Sequence, residues 1–175
     1  FAGANQRAEV NAPCIGVFWR NGEGCTSASR IRVERSIDAE FVERYAAQAK
    51  RVKVGYPRDP SSKVGALVHP EHFDKVMSYV EIGKTEVRLV AGGGRPEGFP
   101  EGNFVQPTVF ADVAPDARIF QEETFGPVVA ISPFDTDEQA LELANITKLL
   151  LAAYTCTPLQ TRDHGCTPVP SSYVL

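Results

Sequence analysis

Apolar positions along this chain recur with two different periods. In "RIRVERS", Arg30 to Ser36, Ile31 and Val33 alternate with charged neighbours, the period of a strand. The following "DAEFVERYAAQAKRVK" returns Phe41, Val42, Tyr45, Ala46 and Ala49 to one face at helical spacing, with Asp38 as the expected N-cap. "GYPRDPSS" interrupts the pattern, because two prolines and a glycine do not continue a helix. A second amphipathic helix is predicted in "PEHFDKVMSYVEIGK", where Phe73, Val76, Met77 and Val80 fall at i, i+3, i+4 and i+7 and Pro70 suits a helix start.

The second half continues the alternation. "RLVAGGG" predicts a short buried strand ending in glycines, "QPTVFADV" and "GPVVAISPF" predict further strands, and "DEQALELAN" a third helix. "GPVVAISPF" is apolar at nearly every position through Ile131, as a strand buried on both faces must be. Strands alternating with helices predict an α/β fold, with a mostly parallel, open twisted sheet and flanking helices. From Pro158 onward "PLQTRDHGCTPVPSSYVL" keeps neither period, so residues 1–157 are expected to form the domain and 158–175 an irregular tail.

Composition narrows the function. With 175 residues, 43% hydrophobic and 23% charged, one sizeable core is expected and hardly two. A formal charge of -4 with no Lys/Arg cluster argues against a nucleic-acid partner, and no apolar run is long enough to span a membrane. The start, "FAGANQRAEV", lacks the order of a secretion signal and has no Met, which suits a mature or cut product. Four cysteines without a CxxC pair are read as reduced, and the protein as cytoplasmic. A small molecule becomes the expected partner.

Among those cysteines, Cys25 stands apart in "RNGEGCTSASR". Gly22 and Gly24 leave room for a planar carbonyl to approach a thiolate, and such a turn can offer backbone N–H donors to an oxyanion. A lone cysteine is nevertheless more often a small buried residue, and spacing alone does not decide between the two.

"NGEGCTSASRIRV" resembles the nucleophile segment of the NAD(P)-dependent aldehyde dehydrogenase superfamily, and "QEETFGPVVAISPF" is similar to that family's second signature, in the right order. The stretch between them, from "FVERYAAQAKRVK" to "YVEIGKTE", also resembles the family, especially the branch that oxidises 5-carboxymethyl-2-hydroxymuconate semialdehyde, and the likeness runs from Phe1 to Tyr154. It implies the fold of that family's catalytic domain and oxidation of a small aldehyde to a carboxylic acid with NAD or NADP. Cys25 falls on the nucleophile, Glu123 on the carboxylate that holds the nicotinamide ribose hydroxyls, and Phe125 on the aromatic beside the nicotinamide. Lys75 and His72 fall on helix positions near the ribose, with a solvated helix face as the equally open reading. Without the motif, Glu123 reads as a solvated loop carboxylate, like Glu122, and Phe125 as ordinary core.

The family's general base, a glutamate in a Glu-Leu-Gly-Gly-Lys segment, lies ahead of the position where this chain begins, as does its dinucleotide domain. The resemblance therefore implies a catalytic-domain portion, and a homo-oligomer for the full-length protein. Weak thiol esterase chemistry, or an assembly module with a vestigial Cys25, are the alternatives. No metal site is expected: "HPEH" places His69 and His72 three apart without a third ligand. "GGGRPEG" lacks phosphate-loop spacing and reads as a surface turn, and "NIT" at Asn145 is a glycosylation triplet without meaning in a cytoplasmic protein.

Overall fold

Four strands make the main sheet of the computed structural model, which describes residues 16–147 and 151–154 and the backbone of 173–174. They are β1 (Arg30–Glu34), β2 (Arg88–Ala91), β3 (Thr108–Ala111) and β4 (Val128–Phe134), in spatial order β1-β4-β3-β2. β4 runs parallel to both neighbours, with Ala130 opposite Arg30 on one side and Val128 opposite Thr108 on the other. β2 closes the edge antiparallel, Arg88 facing Ala111. The sheet is thus mostly parallel, as the alternation of elements predicts.

A central parallel strand is covered on both faces and needs apolar side chains on both. β4 meets that demand: Val129 and Ile131 join one core cluster, while Val128, Ala130 and Phe134 join the other. The first cluster is roofed by α1 (Arg35–Arg51), through Phe41, Val42, Tyr45, Ala46 and Ala49. The second is roofed by α2 (Pro70–Glu86), through Phe73, Val76 and Val80. His69 caps α2 by accepting the His72 N–H at 3.3 Å, with Pro70 at the first helical position, where its missing N–H removes no bond. A single turn, α3 (Arg118–Gln121), precedes β4, and α4 (Asp137–Asn145) follows it, capped by the Thr136 hydroxyl, which accepts the Gln139 N–H at 3.2 Å.

Two expectations are corrected. The strand read into "RIRVERS" stops at Glu34, because β4 ends at Phe134, the last partner in the ladder, and Arg35 and Ser36 have nothing to pair with. α1 therefore begins at Arg35, Glu34 occupies the cap, and Asp38 falls within the first turn and does not cap it. There the Asp38 Oδ1 is buried without a hydrogen-bond partner, and burial together with nearby Asp112 pushes its carboxyl above the usual range. Beyond α4, β5 (Ala152–Ala153) pairs in parallel with β6 (Tyr173–Val174), and the rest of the predicted tail lies outside the described residues. Among the described residues no helix is long and apolar enough to cross a membrane.

Gly83 shows how closely α2 approaches the sheet. A Cβ there would lie 2.6 to 3.0 Å from atoms of the Phe110 ring, and Phe110 is fully buried. Replacing a helical glycine by alanine ordinarily gains about 0.8–1 kcal/mol, but overpacking a close-packed core costs about 1–3 kcal/mol. Gly83→Ala is therefore expected to lower the denaturant midpoint; a raised midpoint contradicts the packing described.

Candidate active site

Cys25 and Phe125 are separated by most of the sheet's sequence, yet each lies a few residues ahead of a strand, Cys25 before β1 and Phe125 before β4. Since those strands are parallel, both segments reach the sheet at its amino end. They meet on one rim, in a cleft of about 370 Å³ lined by Gly24, Cys25, Ser29, Glu123, Phe125 and Leu151 among others. In open doubly wound sheets ligands usually sit at the carboxyl ends of the strands; here the cleft is at the opposite rim. Cys25 is exposed and carries a free thiol, so the buried-residue reading does not hold for it. The other three cysteines lie outside the described residues.

The turn leading to Cys25 is built from left-handed residues. Arg20 (φ 55), Asn21 (φ 62) and Gly22 (φ 73) turn the chain sharply. Asn21 tolerates this conformation better than most residues, and it is tied down: its Oδ1 accepts the Gly65 N–H at 2.7 Å and its Nδ2 donates to the Ala66 carbonyl at 3.1 Å. Two residues on, the Glu23 carboxylate accepts the Val68 N–H at 3.0 Å. Gly22 itself lies against the second loop, where a Cβ would fall 2.0 Å from the Gly126 carbonyl oxygen and 2.6 Å from the Pro127 nitrogen. Gly126 in turn lies on α2, where a Cβ would come within 2.8 Å of the Val76 methyls.

The 122–126 loop is fastened at both ends to one face of α2. At its start, Glu122 accepts from Tyr79 Oη at 2.7 Å and from Arg118 Nε and Nη2 at 3.1 and 2.9 Å. Those donors, Arg118 foremost and then Tyr79, hold the Glu122 carboxyl far below its usual range, at about 2. Glu122 is thus a tether, and its carboxylate is also open to solvent, as its sequence context suggests. Near the other end Phe125 is left-handed at φ 57, a conformation that costs an aromatic residue about 1–2 kcal/mol and needs support from its surroundings. Its carbonyl accepts the His72 Nε2–H at 2.8 Å, and the rings of the two residues meet nearly edge-on at 6.1 Å. His72 Nε2 is also 3.5 Å from Glu23 Oε1, and its side chain is 12% exposed.

Of the five residues singled out in the sequence, Cys25, Glu123 and Phe125 line the cleft together. His72 sits behind Phe125, and Lys75 is exposed at the edge of the same helix face with its ammonium 5.9 Å from the Tyr79 ring; neither is among the cleft-lining residues. Sequence reasoning missed other contributors. Arg30 lines the cleft and donates to the Phe120 carbonyl at 3.2 Å and the Thr147 hydroxyl at 3.0 Å. Burial lowers its pKa, an effect opposed by the charge of Glu123. Leu151 and Ala152 close another side, and the Tyr154 hydroxyl donates to the Thr26 carbonyl at 3.0 Å, fastening this segment to the residue after Cys25. No cluster of three or more His, Cys, Asp or Glu suited to a metal ion occurs among the described residues.

The sequence profile of the aldehyde dehydrogenase family matches residues 1–167, with both loops of the cleft inside the match. The chain belongs to the aldehyde dehydrogenase family. It is 43% identical over 163 residues to 5-carboxymethyl-2-hydroxymuconate semialdehyde dehydrogenase of Escherichia coli, a match that covers 90% of this chain and 35% of that protein. It is 42% identical over 138 residues to aminoacetaldehyde dehydrogenase of Pseudomonas aeruginosa, covering 79% and 27%. Among solved structures, HpcC from Thermus thermophilus superposes with a TM-score of 0.94 at 41% identity, covering 99% of this chain and 35% of that one. The chain thus spans about a third of the length of the relatives it matches.

Iodoacetamide at neutral pH is expected to modify Cys25 in the folded chain, because its thiol is exposed. Gly22→Ala adds a methyl group against backbone, not against a side chain that could move, and is expected to cost more than about 2 kcal/mol. A Cys25 left unlabelled on peptide mapping, or a Gly22→Ala chain as stable as the parent, contradicts the arrangement.

Proposed function

We propose that this chain is the catalytic portion of an NAD(P)-dependent aldehyde dehydrogenase in which Cys25 is the nucleophile and Glu123 and Phe125 meet the nicotinamide end of the cofactor. The observation that carries the reading is the placement of an exposed thiol in one cleft with a carboxylate and an aromatic ring drawn from a distant loop. That donor set fits the group. The Glu123 carboxylate can accept from two vicinal hydroxyls at once, and the Phe125 ring offers an apolar flank for a flat heterocycle. A cleft of about 370 Å³ lies at the low end of the roughly 300–1,000 Å³ span of small-molecule sites, enough for one end of a cofactor beside a small aldehyde.

The chemistry on Cys25 follows from the sulfur. Its thiolate adds to the aldehyde carbon, and the carbonyl oxygen becomes an alkoxide for which the Cys25 N–H is one donor. Hydride acceptance is what a bound nicotinamide supplies. With that acceptor bound, loss of hydride from the thiohemiacetal carbon would leave a thioester on Cys25. Water would attack the thioester carbon, the C–S bond would break with one water proton passing to sulfur, and the carboxylic acid would depart with the Cys25 thiol restored. Small aldehydes are the substrate class, a semialdehyde fitting the name of the Escherichia coli relative. Homo-oligomerisation of the whole protein and a cytoplasmic location belong to the same proposal.

In the resemblance that supports this reading, the base that activates water and the dinucleotide domain are not among these 175 residues. Removal of general-base help commonly costs about 10² to 10⁴ in rate. The 175-residue chain by itself is therefore expected to oxidise aldehyde with NAD at least ~10³-fold more slowly than a full-length relative, and Cys25→Ser to abolish what remains. NADH production at a full-length rate by homogeneous chain, or turnover that survives Cys25→Ser, overturns the proposal.

A further inference from the structure

His72, Val76 and Tyr79 fall at i, i+4 and i+7 on α2 and so share one face. Each meets the 122–126 loop at a different point: Tyr79 at Glu122, His72 at Phe125 and Val76 at Gly126. The first contact is replaceable, because Glu122 has Arg118 as a second partner, and the last is van der Waals packing. The middle one differs. It falls on the residue that the loop holds in a left-handed conformation, and it is made by an imidazole that is almost enclosed.

The chemistry of that contact assigns a tautomer. A carbonyl oxygen cannot donate, so the 2.8 Å bond requires hydrogen on His72 Nε2. The same nitrogen is 3.5 Å from Glu23 Oε1, and Glu23 belongs to the turn that carries Cys25. The imidazole therefore stands between the two loops of the cleft, hydrogen-bonded to the backbone of one and facing the carboxylate of the other.

We propose that His72 is a positioning residue: its Nε2–H, given to the Phe125 carbonyl beside the Glu23 carboxylate, latches the 122–126 loop in the left-handed turn that presents the Phe125 ring and Glu123 to Cys25. The role rests on the reading that Phe125 and Glu123 meet the nicotinamide, and it gives His72 a task behind the cleft in place of direct contact with the ribose. A latch of this kind needs one N–H donor at a fixed point, which a glutamine amide also supplies and a leucine does not.

The test compares the 175-residue chain with its His72→Gln and His72→Leu variants by NMR and by iodoacetamide labelling. In the parent, the imidazole nitrogen shifts are expected to show the Nε2–H tautomer, with a scalar coupling across the hydrogen bond to the Phe125 carbonyl carbon. The Phe125 Cα and Cβ shifts are expected to be those of a left-handed residue in the parent and in His72→Gln, and to move to extended values in His72→Leu, with the rest of the core unshifted. Cys25 labelling should then change at least threefold in His72→Leu and be restored in His72→Gln. An Nδ1–H tautomer, or Phe125 shifts unchanged in His72→Leu, overturns the latch even if Cys25 proves reactive. A latch seen by NMR together with an inert Cys25 in the parent upholds the positioning role and counts against the nucleophile reading instead.

Discussion

The contact on which the cleft depends is between two backbones. Gly22, left-handed at φ 73, lies so close to the Gly126–Pro127 peptide that a single Cβ would fall 2.0 Å from its oxygen. At Gly22 no side chain fits between the two backbones, so the closest approach of the turn that carries Cys25 to the loop that carries Phe125 is set by peptide thickness and not by rotamers. Gly126 repeats the arrangement against Val76 of α2. Turn, loop and helix are stacked, and the hydrogen bonds around them, from Asn21 to Gly65, Glu23 to Val68 and Glu122 to Tyr79, fix each layer laterally.

That stack stands on the sheet. β4 is buried on both faces and parallel to β1, and the Ala130 N–H bonds the Ser29 carbonyl at 2.9 Å just where the Cys25 segment becomes strand. The parallel ladder decides that both loops emerge at the same rim; the glycine contact decides how near they come. Arg30, the first residue of β1, extends the support by bonding the Phe120 carbonyl at the end of α3 and the Thr147 hydroxyl beyond α4, close to the charge of Glu123.

Much of this was legible in the sequence, for physical reasons that differ by element. α1 and α2 were read from faces of Phe, Val, Tyr and Ala at helical spacing, and those faces are the buried ones. "GPVVAISPF" was read as doubly buried, and is. The edge strand β2 is antiparallel, a matter of chain direction that periodicity does not encode. Asp38 reads as a cap in the sequence, but the end of the β4 ladder, a tertiary fact, starts the helix at Arg35. Cys25, Glu123 and Phe125 were found by resemblance, while Tyr154 and the place of His72 depend on partners 128 and 53 residues away, which no local pattern displays.

The rest depends on one placement: Cys25 and the 122–126 loop line one cleft on one rim of the sheet. It is tested most directly by attaching a nitroxide to Cys25, with Cys14, Cys156 and Cys166 replaced by serine, and measuring paramagnetic broadening of backbone amides. The account predicts that the amides of Glu122 to Gly126 and of Ala152 broaden strongly, while those of Asp38, Asp112 and Asp135, at the carboxyl ends of the parallel strands, remain sharp. Sharp signals throughout residues 122–126 in a chain whose Asp112 and Asp135 amides are broadened would contradict it.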